Sequence, residues 1–201
     1  MKIGASRSLQ RFLALAVVGI LIPLVAACTG RGGGQLPPSA GFTDQASFGF
    51  TFSCEDPGGI NPPTGQLKIE LSYTDHGSNP IGSSFSIHGI VDEIDPTLES
   101  EICIGQNPPP GGNELIFLGR YYLTSSAPAL FPSTCPSRET ATTPLCRFEV
   151  IVKDNDKNSA PSAGDTFQIT LSGGTTLSST LEGPLFYTRG GTLSAGNITV
   201  D

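Results

Sequence analysis

The chain has 201 residues, 18 acidic against 11 basic, and a net charge of −7. Three of the basic residues (Lys2, Arg7 and Arg11) lie in the first 27 positions, which hold no acidic residue, so the remainder carries −10. Such a surface repels nucleic acid phosphates and offers no polybasic stretch to anionic lipid heads; it suits solubility or a cationic partner.

The chain opens with a basic segment, residues 1–11, followed by an apolar run over residues 13–27. This is the layout of a secretory signal, and the run is shorter than the ~20 residues of a spanning helix. It ends Leu24-Val25-Ala26-Ala27-Cys28, which resembles the lipobox of bacterial lipoproteins, where small residues precede an invariant cysteine. The resemblance implies cleavage before Cys28 and attachment of diacylglycerol to its thiol. The expected location is a bacterial cell envelope, with the domain anchored on the extracytoplasmic side of a membrane through acyl chains such as palmitate. Residues 28–41 contain Gly-Arg-Gly-Gly-Gly and Pro-Pro and read as a flexible tether, leaving residues 42–201 as the folded domain.

Within that domain, apolar residues alternate with polar ones in short runs, the period-two pattern of half-buried strands. Phe48, Phe50, Phe52 and Cys54 mark the first strand, and Leu67, Ile69, Leu71 and Tyr73 the next. Phe85 and Ile87 lead a third. Residues 115–123 form a fourth, apolar enough to be buried on both faces. Phe148, Val150 and Val152 are expected inward with Arg147, Glu149 and Lys153 outward; Phe167, Ile169 and Leu171 follow, and Leu193, Ile198 and Val200 close the series. With 25 Gly and 17 Pro between short runs, the expected fold is all-β, an antiparallel sandwich or barrel of about eight strands. Residues 105–112 and 125–144 read as surface loops.

With Cys28 lipidated, Cys54, Cys103, Cys135 and Cys146 remain, an even number that fits two disulfides in an oxidising compartment. Three pairings are possible. Cys135 and Cys146 flank one loop and suggest a local staple, which leaves Cys54 with Cys103. No Cys-x-x-Cys spacing is present, and two histidines argue against zinc.

The order of Phe48-Gly49-Phe50, Tyr73-Thr74-Asp75-His76, Cys146-Arg147-Phe148-Glu149-Val150, Gly164-Asp165-Thr166-Phe167 and Gly196-Asn197-Ile198-Thr199-Val200 resembles a small secreted bacterial β-module, the post-COAP domain. The two long loops depart from its compact pattern. The resemblance implies an extracellular accessory domain; it implies no reaction and no catalytic residue.

Three constellations bear on chemistry. Asp154, Asp156, Asn158 and Asp165 fall at positions 1, 3, 5 and 12 of a loop, an alternation that lets oxygens converge on calcium, which takes six to eight of them. Ser159 stands where an EF-hand loop needs glycine, and the flanks are strands, so the competing reading is a polar β-connection. Tyr73, Asp75 and His76 invite thoughts of a triad, but strand neighbours point to opposite faces and no Gly-x-Ser-x-Gly elbow presents a serine. The plainer reading has Asp75 inward, accepting backbone hydrogen bonds. The carboxylates Asp92, Glu93, Asp95, Glu99 and Glu101 read as a solvated acidic edge, since no Trp and only four Tyr are available as sugar platforms. The expected role is a non-enzymatic binding or envelope accessory module with a protein or carbohydrate partner. Calcium is the one cofactor these residues suggest. The alternatives are a secreted hydrolase and a purely structural spacer.

Overall fold

The computed structural model describes residues 27–55, 68–90, 112–138, 146–155, 164–174, 181 and 183–201. They form an all-β fold, as the alternation predicts. Nine antiparallel strands make one curled sheet: β1 (Ala27–Leu36), β2 (Ala46–Glu55), β3 (Lys68–Asp75), β4 (Phe85–Ile90), β5 (Glu114–Leu123), β6 (Cys146–Lys153), β7 (Thr166–Ser172), β8 (Leu185–Thr192) and β9 (Ala195–Val200). Strands β1 to β8 pair in chain order, and β9 returns to the far side of β1, so β8 and β9 are the two edges. The sheet rolls until its inner face meets itself. Phe48 of β2 stacks on Phe167 of β7 with ring centroids 3.8 Å apart, and Phe50 and Phe52 lie 5.4 and 5.5 Å from Phe117 of β5. Aromatic pairs at such distances add about 0.5–1.5 kcal/mol each beyond the area they bury.

The burial of β3 alternates strictly, with Ile69, Leu71, Tyr73 and Asp75 inside. In β5 the inner positions are sealed and the outer Ile116, Leu118 and Tyr122 are half-buried, less than burial on both faces. Arg147 follows the outward alternation of β6, yet it is buried, as is its register partner Arg120. Residues 125–138 do more than decorate the surface. Phe131 is buried against Phe85 and Tyr121, and Cys135 is joined to Cys146 at the start of β6. The local staple is therefore present. Cys103 lies outside the described residues.

The Gly-rich segment corrects the sequence reading most sharply. Residues 28–36 are no tether: they form β1, paired along its length with β2 and from Gly30 to Gln35 with β9. Composition misleads here because the glycines serve close packing. A Cβ on Gly30 would stand 2.3 Å from Leu115 Cδ2, and one on Gly34 would stand 2.5 Å from the Ala195 carbonyl oxygen. The curled sheet leaves no room for side chains on the inner face of β1 until Leu36, which is buried. The folded domain thus starts more than a dozen residues before position 42.

Candidate functional site

Two polar clusters inside this apolar shell are the places where charge is concentrated. The first is built on Asp75, the last residue of β3, whose position in the alternation turns its carboxylate inward. Oδ1 accepts the N–H of Gly77 at 3.2 Å, which shapes the turn after the strand. Oδ2 accepts the hydroxyl of Tyr187 at 2.7 Å and stands 3.0 Å from Arg189 Nη1. That last approach is a charge contact, since the N–H is not aligned for a hydrogen bond. Tyr187 spends its proton on Asp75, so Tyr73, whose hydroxyl also meets that of Tyr187, is the donor in their bond. Burial pushes both phenols well above the ordinary tyrosine range, so both stay protonated.

Arg189 is the only charged residue among the described positions of β8, and it extends across the rolled sheet. Its Nη2 donates to the carbonyls of Pro37 at 3.0 Å and Asp44 at 2.6 Å, and its guanidinium lies 4.7 Å from the centroid of the Phe42 ring. One residue therefore binds β8, the β1–β2 connection and β3 together. Asp75 does not orient His76. The histidine is exposed, with Nε2 2.9 Å from Ser47 Oγ. The inward reading of Asp75 is correct; its ion pair joins residues far apart in sequence and has no local signal.

The second cluster lies where β9 passes the ends of β6 and β7. Asp154 and Asp165 are both buried. Oδ2 of Asp154 accepts the N–H of Val200 at 3.1 Å, and Oδ2 of Asp165 accepts the N–H of Ile198 at 2.7 Å. Oδ1 of Asp165 accepts the N–H of Asn155 at 3.0 Å. Two of the four residues read as calcium ligands are thus brought together, as acceptors of backbone N–H. Asp156 and Asn158 lie outside the described residues, as does the acidic run Asp92, Glu93, Asp95, Glu99 and Glu101. No group of three or more metal-ligating side chains is present among the described residues.

The outer face carries one further feature, a shallow open depression of about 230 Å³. It lies over β2, β3 and β4, with Gly49 and Ser72 among its lining and Thr51, Glu70 and His88 around them. In both buried clusters, by contrast, the carboxylate oxygens accept from the protein itself, while Arg189 keeps Nε and Nη1 buried without a hydrogen-bond partner. What they do chemically is hold strands together where the backbone ladder stops.

No protein-family model, no curated protein and no solved structure matches the chain.

Proposed function

We propose that the chain is a lipid-anchored, non-enzymatic β-domain on the extracytoplasmic side of a bacterial membrane, serving as a binding or accessory module of the envelope. The observation that carries the proposal is the sequence before Cys28: a basic start, an apolar run too short to span, and small residues at the expected cut. The position of β1 is compatible with that cut. The strand begins at Ala27, so cleavage before Cys28 removes one residue from the ladder with β2 and none from the ladder with β9. The resemblance of the motif order to the post-COAP module supports an accessory role. Metabolic labelling with radioactive palmitate tests the anchor: the parent is expected to label and Cys28→Ser to lose the label. Equal labelling of both sinks the proposal.

A hydrolase is the second reading, and Ser47 beside His76 is the observation that favours it. Its test is a fluorophosphonate probe. Labelling of the parent that Ser47→Ala abolishes would establish a reactive serine; a parent that stays unlabelled removes this reading.

A further inference from the structure

We infer that the Cys28 end of the sheet lies in the headgroup layer of the bilayer, with Thr29, Lys68 and Asp201 on the membrane-facing rim and the turn at residues 37–45 directed away from it. This rests on lipidation of Cys28 as proposed above; the structure adds the orientation.

The argument starts from Thr29. It follows Cys28 directly, and its backbone is fixed on both sides. Its N–H donates to the Asp201 carbonyl at 3.1 Å, its carbonyl accepts the Asp201 N–H at 2.9 Å, and it stands opposite Ser53 on β2. Ser53 in turn pairs with Lys68, which is exposed, so Lys68 is two strands away, about 10 Å at the usual strand spacing. The lipid-bearing residue is itself in the β1–β2 ladder, opposite Cys54, and one peptide unit, about 3.8 Å from Cα to Cα, separates it from Thr29.

Reach decides the outcome. A 14-residue flexible tether would give a root-mean-square span of roughly 20 Å, enough for the domain to tumble clear of the surface. A single peptide unit does not clear even one polar layer of a bilayer, roughly 5–8 Å thick on each side of the hydrocarbon. The other end of β1, Leu36, is seven residues on, or about 23 Å along an extended strand. Ala40 lies just beyond it and is exposed. The rim beside Cys28 is thus held among lipid headgroups while Ala40 stands away from them.

The test uses the full lipidated chain in phosphatidylcholine vesicles containing a lipid with a nitroxide on its headgroup. A fluorescent non-canonical residue replaces Lys68 in one sample and Ala40 in the other. The expected result is several-fold stronger quenching at position 68 than at position 40. A 14-residue Gly/Ser insertion after Cys28 is expected to reduce the quenching at 68 to the level at 40. If intact mass shows diacylglycerol on Cys28 and the two positions quench equally, the orientation is wrong and the anchor stands. If the mass shows no lipid on the parent, both the anchor and the orientation fall.

Discussion

The carboxylate of Asp165 holds the N–H of Ile198 at 2.7 Å, on the edge of β9 that faces away from β1. Asp154 does the same for Val200, two residues on. Successive N–H groups on one edge of a strand recur every second residue, so the two carboxylates occupy the places where a neighbouring strand would offer carbonyls. Asp165 also accepts from Asn155, so it satisfies two backbone donors. An amide at this position has one acceptor oxygen and can serve only one of them in the same geometry. Asp165→Asn is expected to destabilise the fold by about 1–3 kcal/mol, read by urea unfolding. Hydrogen exchange at Ile198 and Val200 should accelerate more than at Phe117 in the sheet centre. Unchanged exchange at Ile198 would refute the edge role.

Calcium at Asp154, Asp156, Asn158 and Asp165 would use lone pairs left over by these amides. Asp156→Asn separates the two functions, since the amide bonds of β9 run to Asp154 and Asp165. The calcium proposal expects the parent to melt at a higher temperature in millimolar calcium than in EDTA, and Asp156→Asn to lose most of that rise. A parent melting at one temperature in both buffers ends the calcium proposal.

Gly34→Ala tests β1. Its new Cβ would fall 2.5 Å from the Ala195 carbonyl oxygen, a backbone atom that cannot swing aside. A loss on the order of 1–3 kcal/mol is expected, the cost of overpacking. Gly49→Ala is the control, since its nearest neighbour would be the Ser72 hydroxyl at 3.7 Å, and it should be close to neutral. A neutral Gly34→Ala would restore the segment to the status of a spacer.

Arg189→Met removes the partner of a fully buried carboxylate. Breaking a buried pair on one side costs about 3–5 kcal/mol because the remaining charge has no compensation. The double change Asp75→Asn with Arg189→Met is expected to be less damaging than the sum of the two single changes, measured by denaturant unfolding. Strict additivity would show that the contact carries no coupling.

Glu149 stands on the outer face of β6, half-buried, and desolvation holds its carboxyl above the usual range. An acid whose folded pKa is raised binds its proton more tightly in the folded state than in the unfolded one. Folding stability therefore falls as pH rises from the ordinary Glu value through the raised one, and is level above it. Glu149→Gln is expected to stabilise modestly at pH 7 and to leave stability unchanged at pH 4. Urea melts of both proteins at the two pH values check it, and a gain at pH 4 equal to that at pH 7 would point to a cause other than ionisation.

The strands that alternate apolar and polar residues were legible because one face of each is buried: β2, β3, β6 and β7 fall where Phe48, Ile69, Phe148 and Phe167 place them. β1 and β8 were not. In β1 the inward positions 30, 32 and 34 are glycines, chosen for proximity, and they resemble a spacer in composition. In β8 the buried positions are Tyr187 and Arg189, so the inner face carries a charge where the pattern calls for an aliphatic residue. The partner that makes this charge tolerable, Asp75, is 114 residues earlier, and local spacing cannot announce it. Asp154 and Asp165 drew attention as oxygens spaced to converge on calcium, and the structure does bring these two together. One oxygen of each accepts an amide of β9, a strand defined only once the sheet has rolled.

The return of β9 to β1 sets an order of events for folding. Strands β1 to β8 pair with their sequence neighbours and can zip as they emerge, the longest connections being residues 91–113 and 124–145. The β1–β9 ladder joins Gly30 to Val200, and such distant pairings form slowly because the long loop must be closed first. β9 is also made after the other eight described strands. Until it is made, the glycine-lined edge of β1 stays open, and an added peptide with the sequence of β9 is placed to occupy it before the chain's own strand arrives.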